Sequence, residues 1–570
     1  MAEEYDYIVC GGGTAGPAVA ARLAEDSNVS VILLEAGPDN SDIENTKMVG
    51  GMLQNFDTDR DWNLIAEPNP QMNGRPMKLS RGKFLGGSSS TNGTLMVRGM
   101  RQDFDDWESM GNPGWNADSM WKYFQRSETF HQSEGFDADE DAHGIEGPIQ
   151  TTFHPLAGIS SAVLKSFQGQ GFPKDDDMFS TGTRWHGVGH SLRTVYGGIR
   201  VTGADYLKTS PVTVRCNSRV ARLIFNENKT QGVEVIDERT GQTTTIRTRR
   251  EIILCLGTYA SPQALLLSGI GPKEELYEAG VPPVVDLPGV GKNLEDHLTV
   301  FVFYEVAQGY TQCHQMHPQS AYEHSRDQWR QSRTGILSGA HFGVFAFTRL
   351  DERLSKHDLW RHASCLPGRD PMGLTTRQPH VEFFNTERYM APKQYNNPPP
   401  AGRSAFANII ELFSPRSRGY VKLRSANPLE NPIVQHNYLA DPLDLLVYAE
   451  ACALGAEVIK QGEGTKNLLL GAWPPEDKHY EFTKLEQWME YIKNNATTCY
   501  HPGGTCKMGP DTDPGAVVDA RLRVKGIKGL RVADCSIMPK LNNGHTQAVA
   551  YAIGEKCADM VKEDWKSSQL

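Results

Sequence analysis

The stretch YDYIVCGGGTAGPAVAARLAEDSNVSVILLEAG, residues 5–37, decides the fold class of this 570-residue chain. Residues 5–10 are predicted to form a strand, and residues 15–25 have the apolar spacing of a helix. The segment VSVILLEAG is typical of a buried parallel strand. Together they form a β-α-β unit of about 30 residues. The sequence therefore predicts an α/β protein that opens with a Rossmann-like parallel sheet.

Three glycines, Gly11, Gly13 and Gly16, form a G-x-G-x-x-G motif between the first strand and the helix. The first permits a tight turn, the second lets the backbone approach a pyrophosphate, and the third lets helix and strand pack closely. The helix N-terminus then favours the negative charge. Glu35 ends the second strand about 20 residues further on, where a carboxylate can bind ribose hydroxyls. The motif predicts a dinucleotide and leaves FAD and NAD open.

Length and composition exclude several classes of protein. A chain of 570 residues is too long for one compact core, so two domains, or one domain with a large insertion, are expected. Hydrophobic residues make up 39% and charged residues 22%, which is an ordinary globular balance. The net charge of -11 repels phosphate backbones, so no nucleic-acid partner is expected. No apolar run approaches the roughly 18 residues of a membrane span, so none is predicted.

The ends of the chain and its cysteines bear on localisation. The acidic start, MAEEYDYIVC, enters a strand at once and does not look like a secretory signal. The ten cysteines lack the spacing of a disulfide framework, which suits a reducing compartment. We therefore expect an intracellular, cytoplasmic protein. The C-terminal SQL resembles the peroxisomal address SKL, so a peroxisomal location is the alternative.

The middle of the chain differs in character from its two ends. Strand-rich sequence at 212–238 and 250–257 and dinucleotide-type motifs after residue 530 continue the pattern of the N-terminus. Residues 300–495 instead mix strands with loops rich in Pro, Arg and Asn. We predict a cofactor domain made of residues 1–155, 196–303 and 498–570. The predicted substrate-binding domain comprises residues 156–195 and 304–497.

A histidine between two cysteines, in TTCYHPGGTCKMGP at 497–510, raises the question of its chemistry. A metal site would use Cys499, His501 and Cys506, but neither a C-x-x-C pair nor H-x₃-H spacing supports it, and no metal is expected. A cysteine nucleophile lacks a helix N-terminus or lysine to activate it. A structural histidine in a turn is the third alternative. A histidine base that serves an organic cofactor fits best, because imidazole titrates near neutral pH.

Four motifs carry a family resemblance. GKFLGGSSSTNG, GTYASPQALLLSGIGP, VGKNLEDH and the closing LRVADCSIMPKLNNGHTQAVAYAIGEKCADM resemble the glucose–methanol–choline (GMC) oxidoreductases. The similarity is to the branch of aryl-alcohol, hydroxymethylfurfural and formate oxidases. It extends from Tyr5 to Met560 and is weak across 300–495. It implies the GMC fold, in which a Rossmann-like FAD-binding domain of discontinuous segments joins an α+β substrate-binding domain with an antiparallel sheet. Thr91 and Met96 depart from the usual residues.

The resemblance implies FAD in an extended form. Residues expected to hold its ADP half are Gly11, Gly13, Thr14, Ala15, Gly16, Glu35 and Ala36, with Val220 beside adenine. Residues expected along the flavin are Gly86, Gly87, Ser90, Asn92 and Gly93, with Asp534 near the pyrophosphate and Thr546 and Gln547 at the pyrimidine edge. Some members attach FAD through a histidine where this chain has Thr91, so non-covalent FAD is expected.

The resemblance also implies the reaction. His501 stands at the position of the family's general base, and His545 at that of the partner that orients the hydroxyl and stabilises the developing alkoxide. The predicted reaction is FAD-dependent oxidation of a neutral primary alcohol to the aldehyde, by proton abstraction and hydride transfer to the flavin. Aromatic and furanic alcohols are candidates, and His545 argues against formate, which would call for Arg. The expected acceptor is O₂, giving H₂O₂, so an oxidase is favoured over a dehydrogenase.

Several points stay open at this stage. The same fold and base would also suit a hydroxynitrile lyase or an enzyme that tailors a secondary metabolite. Aromatic side chains that could line the substrate pocket are Phe342, Phe345, Phe347, Phe383, Phe384 and Phe413. Beyond a small-molecule alcohol and oxygen or another electron acceptor, no partner is predicted, and the oligomeric state is left open.

Overall fold

Two seven-stranded sheets dominate the computed structural model, which describes residues 3–390 and 397–569. Leu570, the last residue of the predicted SQL address, lies outside the described residues. Residues 391–396 of the predicted substrate-binding domain lie outside them as well. In the two ranges that are described, no helix has both the length and the apolar character needed to cross a bilayer.

The first sheet contains the predicted β-α-β unit. Strand Glu3–Cys10 pairs in parallel with Val31–Leu34, and helix Gly16–Leu23 connects them. The strand order is Thr213–Arg215, Val31–Leu34, Glu3–Cys10, Thr243–Leu254, Lys229–Asp237 and Ser218–Asn226, and Leu530–Val532 also pairs with Thr243–Leu254. The first four strands in this order, from Thr213–Arg215 to Thr243–Leu254, pair in parallel. The strand Lys229–Asp237 pairs antiparallel with both of its neighbours. The carboxyl ends of the parallel strands therefore form a common edge, where α/β sheets bind their ligands.

The second sheet is antiparallel throughout. Its strand order is Leu469–Ala472, Leu298–Val306, Ser404–Leu412, Val381–Thr386, Phe342–Thr348 and Gly187–Gly189, and Thr497–Thr498 also pairs with Leu298–Val306. The central strands are buried on both faces, because every residue from Val381 to Thr386 and from Ser404 to Leu412 is buried. Their sequences, VEFFNT and SAFANIIEL, mix apolar residues with polar side chains that are buried as well.

The two faces of the second sheet pack against different partners. Alternate residues such as Val302 and Phe383 join one apolar cluster, which includes the long helix Pro442–Gln461. The residues between them, such as Phe303 and Phe384, join a second cluster rich in phenylalanine. Because side chains alternate across a strand, neighbouring phenylalanines point to opposite faces.

Helices surround both sheets. The helices of eight or more residues are Gly16–Leu23, Arg101–Ser109, Ala117–Ser127, Gly158–Gly169, Ala260–Leu267, Gln319–Ser332, Pro442–Gln461, Leu485–Asn495 and Thr546–Ser568. Shorter ones are Glu44–Lys47, Met178–Thr181, Lys273–Glu278, Asp351–Leu354 and Asp358–Arg361. Two-stranded ladders join Leu64–Asn69 to Arg75–Leu79, Glu128–His131 to Ile149–Thr152, Val195–Tyr196 to Ile199–Arg200, Ile270–Gly271 to Val285–Asp286, and Tyr420–Lys422 to Ile433–Gln435.

The closing helix, Thr546–Ser568, packs directly against the first helix of the chain. A side-chain carbon at Gly554 would meet the carbonyl oxygen of Ala15 at 2.6 Å, so the two backbones touch there. The N-terminus of the closing helix, at Thr546 and Gln547, lines the same cavity as Gly13 of the glycine turn. The predicted domain boundaries stay a prediction, and strand Leu298–Val306, which crosses the boundary proposed at residue 303, pairs within the second sheet.

Candidate active site

The glycine turn after the first strand opens onto a cavity. A side-chain carbon at Gly13 would meet no atom within 4 Å, so this glycine leaves room for a group close to the backbone. At Gly16 the same carbon would lie 1.9 Å from the Gly11 carbonyl oxygen, so helix and turn could not pack with a larger residue. These are the features that a pyrophosphate-binding turn needs.

A second glycine segment lies against the first. Gly86 donates its backbone N–H to the carbonyl of Gly12 at 2.7 Å. A side-chain carbon at Gly87 would approach the Cα of Gly13 to 2.7 Å. The two glycine segments, far apart in sequence, therefore form one cradle of exposed backbone.

Glu35 closes one end of this cradle. Its carboxylate accepts hydrogen bonds from the N–H groups of Gly12 at 2.9 Å and Gly37 at 2.8 Å. Burial raises its pKa above the usual value, and these two donors oppose the rise. The side chain also lines the cavity, so its remaining acceptor capacity faces the space beside the glycine turn.

Most residues predicted to bind the cofactor line this single cavity. The lining includes Gly11, Gly13, Thr14, Ala15, Glu35, Ala36, Gly87, Asn92, Gly93, Val220, Asp534, Thr546 and Gln547, together with Thr91, His501 and His545. Three predicted residues, Gly16, Gly86 and Ser90, lie outside the lining. Gly16 and Gly86 hold the cradle together, and Ser90 accepts a hydrogen bond from Asn40 at 3.3 Å.

Three of the lining side chains, Asp534, Asn92 and Gln547, are already engaged by neighbouring groups. Asp534 accepts hydrogen bonds from the N–H of Gly257 at 2.9 Å and the hydroxyl of Ser261 at 2.5 Å, so it organises the start of a helix. The side-chain amide of Asn92 donates to that of Gln547. Asn92 belongs to the second glycine segment and Gln547 to the closing helix, so this bond ties the helix N-terminus to the cradle.

His501 is held by backbone pairing. Residues 295–299 run antiparallel to residues 497–503, and Cys499 N–H donates to the His297 carbonyl at 2.9 Å. The backbone N–H of His501 donates to Asp296 at 2.8 Å. The same buried carboxylate accepts from Thr498 at 2.6 Å and from the hydroxyl of Tyr438. His501 therefore lies between two backbone-paired residues, Cys499 and Gly503, rather than on a free loop.

His545 reaches the same point from the closing helix. It is the residue that precedes the helix, and its Nε2 lies 2.9 Å from an oxygen of Glu382. The ring centroids of His501 and His545 are 4.6 Å apart, with the ring planes inclined by 73°. Two imidazoles therefore share one wall of the cavity beside the flavin-binding segments predicted from the sequence.

Both imidazoles are neutral at neutral pH. Burial lowers the pKa of His501 to about 4, although the carboxylate of Glu411 works in the opposite direction. Burial also lowers the pKa of His545 to about 4. A neutral imidazole has a free electron pair, so each ring is able to accept a proton or a hydrogen bond.

The cysteines around His501 do not serve the alternatives considered from the sequence. Burial raises the pKa of Cys499 and of Cys506 well above the usual value, so neither is a thiolate nucleophile. Cys499 donates its thiol to Glu411 at 3.0 Å, and Cys506 lies in the apolar core. Among the residues that the structure describes, no group of metal-ligating atoms combines either cysteine with His501.

Behind the two histidines lies a buried cluster that the sequence did not reveal. Glu411 accepts from Nδ1 of His297 at 2.9 Å and from Nδ1 of His501 at 3.1 Å. Glu382 contacts His545, as described above. A charged residue inside an otherwise apolar strand, as in HVEFFN and FANIIELF, is the signal that could have pointed to these two glutamates.

The wall beside His545 is apolar. Of the aromatic candidates, Phe342 and Phe384 line the cavity, and Phe384 lies 6.1 Å from His545 between ring centroids. Phe345, Phe347 and Phe413 belong to the same apolar cluster but stand behind the lining, and Phe383 points to the opposite face of the sheet. Lining residues that the sequence did not single out are Leu95, Phe301 and Met390.

A dinucleotide cradle that opens onto two neutral imidazoles and an apolar wall is the arrangement of a flavin-dependent, alcohol-type oxidoreductase. The chain belongs to the GMC oxidoreductase family. The N-terminal model of that family matches residues 5–299 and the C-terminal model residues 415–554. The fold class and the family expected from the sequence are thereby confirmed.

Comparison with individual proteins agrees with this assignment. The chain is 33% identical over 566 residues to the oxygen-dependent choline dehydrogenase of Brucella anthropi, covering 98% of this chain and 95% of that one. Its structure is similar to Aspergillus oryzae RIB40 formate oxidase, with a TM-score of 0.92, 30% identity and 99% of each chain covered. It is also similar to pyridoxine 4-oxidase from Mesorbium loti, with a TM-score of 0.80, 27% identity and coverage of 97% and 98%.

Proposed function

We propose that this protein oxidises a neutral primary alcohol to the aldehyde with non-covalently bound FAD, and that O₂ is the electron acceptor. The observation that carries the proposal is the pair of neutral imidazoles, 4.6 Å apart between ring centroids, on the wall of the cavity that also contains the glycine cradle. Alcohols with an aromatic or furanic ring are the favoured substrates.

The residues present fit FAD. The open space at Gly13 and the close contact of the two glycine segments suit a pyrophosphate, and buried Glu35 lines the cavity beside this turn, where it would accept a hydrogen bond from a ribose hydroxyl. Thr91 lines the cavity where a covalent link would require histidine, so dissociable FAD is proposed. When bound, FAD supplies the acceptor for the hydride that leaves the alcohol carbon, and passes the electrons to oxygen.

His501 is the proposed general base. Its Nδ1 is engaged by Glu411, which leaves Nε2 to take the hydroxyl proton. The imidazolium that forms is stabilised by the carboxylate of Glu411 directly behind it. The backbone bond to Asp296 keeps the ring in place during this transfer.

His545 is the proposed orienting partner. Its Nε2 is held by Glu382, so the other ring nitrogen is left for the alcohol hydroxyl. Contacts with both His501 and His545 would hold the hydroxyl in one orientation. Such positioning of reacting groups contributes a large part of enzymatic rate enhancement.

The apolar wall supports an uncharged substrate. Phe342, Phe384 and Met390 form one cluster beside the histidines and offer contact area to a ring rather than a partner for a charge. Glu411 is fully buried behind His501 and does not line the cavity, so it does not offer its charge to a substrate cation such as choline.

An anaerobic alcohol panel tests the proposal. The FAD-loaded protein is mixed with benzyl alcohol, hydroxymethylfurfural, choline and formate, and loss of the oxidised flavin absorbance is recorded. We expect the aromatic and furanic alcohols to bleach the flavin fastest, and the aerobic reaction to yield one peroxide per aldehyde. Bleaching by choline or formate alone would contradict the substrate class. The same protein is also incubated with a cyanohydrin. Cleavage of the cyanohydrin, with no flavin bleaching by any alcohol, would point to a lyase.

A further inference from the structure

Two buried glutamates face each other directly behind the histidine pair. Glu382 and Glu411 occupy opposite register positions on neighbouring antiparallel strands, Val381–Thr386 and Ser404–Leu412. Both side chains are 0% exposed. Like charges directly opposite each other on a sheet destabilise it, and burial makes the repulsion larger. Two ionised carboxylates at this place are therefore unfavourable.

The hydrogen bonds around the two carboxyl groups differ. Glu411 accepts hydrogen bonds from His297 and His501 at Oε1 and from Cys499 at Oε2, so both of its oxygens have donors. In the described residues, no donor reaches Oε1 of Glu382, although its Oε2 is 2.9 Å from His545. One carboxylate oxygen of Glu382 and one of Glu411 lie within 4.8 Å of each other. A proton on Oε1 of Glu382 would convert this orphaned oxygen into a donor to Glu411.

The charges nearby agree with a single negative charge in the pair. Burial, and the negative charge of Glu411, raise the pKa of Glu382 well above the usual value. Burial also acts to raise the pKa of Glu411, but His501 and His297 outweigh it and leave this pKa well below the usual value. The other groups that face the pair are His545, the thiol of Cys499 and the buried guanidinium of Arg193.

We propose that Glu382 and Glu411 share one proton, with Glu382 as the neutral acid and Glu411 as the anion, and that this pair positions the two histidines. Glu382 accepts from His545 through Oε2 and donates to Glu411 through Oε1. Glu411 in turn holds Nδ1 of His501. The two imidazoles on the cavity wall are thus connected behind it by a continuous chain of hydrogen bonds through both carboxyls.

Each member of the pair has a separate task in the proposed oxidation, on which this part of the inference rests. Glu411 carries the charge that stabilises His501 once it has taken the hydroxyl proton. Glu382 orients His545. Because Glu382 is neutral, the pair carries one negative charge rather than two. Neither side chain touches the substrate space, so both are positioning residues.

Isosteric variants separate the two tasks. Glu382→Gln keeps the neutral charge and both hydrogen bonds of the acid, because an amide donates from nitrogen and accepts at oxygen. We expect the rate of flavin reduction by alcohol to change by no more than about threefold.

Glu411→Gln removes the anion. We expect the rate of flavin reduction to fall by about 10- to 100-fold, with FAD retained. The acid limb of the pH profile should move to lower pH, because the anion raises the pKa of His501.

Infrared spectroscopy tests the shared proton without any substrate. At neutral pH the wild-type protein, with or without FAD, should show the C=O stretch of a protonated carboxylic acid that shifts in D₂O. This band should be missing from Glu382→Gln. If the band appears and no alcohol bleaches the flavin, the shared proton stands and the proposed function fails.

Three results would overturn the inference. Identical infrared spectra of wild type and Glu382→Gln in the region of the carboxylic acid C=O stretch would mean that Glu382 is not protonated. Equal loss of flavin reduction in both variants would indicate a merely structural role. Stoichiometric divalent metal in the purified protein would show that a cation, rather than a proton, balances the two carboxylates.

Discussion

His501 and His545 meet on one wall of the cavity, although one follows an antiparallel ladder and the other precedes the closing helix. Their approach depends on the first helix, which packs against the closing helix, and on the second sheet, which supplies a glutamate behind each ring. The arrangement makes the two side chains unequal. His501 is backed by the ionised Glu411, whereas His545 is backed by Glu382, whose pKa is raised.

Replacement of His501 by alanine tests the proposed base. We expect the rate of flavin reduction by alcohol to fall by at least about 100-fold, which is typical of a lost general base. FAD should remain bound, because His501 does not belong to the glycine cradle. Stopped-flow absorbance measures the reduction rate. Cys499→Ser is the control, since a hydroxyl still donates to Glu411, and it should keep most of the activity. An inactive Cys499→Ser beside an active His501→Ala would contradict the assignment.

The pH dependence of flavin reduction follows from the neutral state of His501. Its pKa is lowered to about 4, so the base is deprotonated above this pH and protonated below it. The rate constant for reduction should therefore be flat at neutral pH and decline as the pH falls through about 4. A decline that begins near the ordinary histidine pKa of about 6.5 would show that burial does not set the charge state.

Glu35→Ala should weaken FAD binding. The substitution removes the proposed acceptor for a ribose hydroxyl and leaves the N–H groups of Gly12 and Gly37 without their partner. We expect a loss of about 1–3 kcal/mol in the binding free energy of FAD, measured by fluorescence titration of the apoprotein. Glu234→Ala, on the strand Lys229–Asp237 of the same sheet, is the matched control. Equal affinity in both variants would place Glu35 away from the ribose.

The attachment of the flavin is testable by acid precipitation. The purified protein should be yellow, and precipitation should leave all the flavin in the supernatant, because Thr91 offers no nitrogen for a covalent bond. Absorbance of the two fractions measures the distribution. Flavin that stays with the precipitate would show a covalent link to another residue.

Phe384 and Phe383 are adjacent in the chain but lie on opposite faces of the sheet, so replacing each in turn tests the apolar wall of the cavity. Phe384→Ala removes a ring from the cavity, and we expect kcat/KM for an aromatic alcohol to fall by about 3- to 10-fold, the range for a lost aromatic contact. Phe383→Ala creates a void on the other face of the sheet. It should lower the melting temperature and leave KM unchanged. A larger effect of Phe383→Ala on KM would mean that the substrate does not contact this wall.

The sequence alone determined the parts of the protein that depend on local geometry. The turn at Gly11, Gly13 and Gly16, the strand Val31–Leu34 that leads into Glu35 and the start of the closing helix at Thr546 are each encoded within a short segment. Such motifs can be predicted because the reason for each residue lies within a few positions of it. The histidine pair was also named from the sequence, through a family resemblance and the chemistry of a base.

Only the tertiary structure decided what surrounds that pair. The opposition of Glu382 to Glu411 depends on the register of two strands, and the place of His297 beside His501 depends on a third strand. The same register sends Phe384 to the cavity and Phe383 to the far core. Strand pairing joins residues that are distant in the chain, and a shift of one residue exchanges the two faces. No local pattern specifies that register, so the charge state of the site could not be read from the sequence.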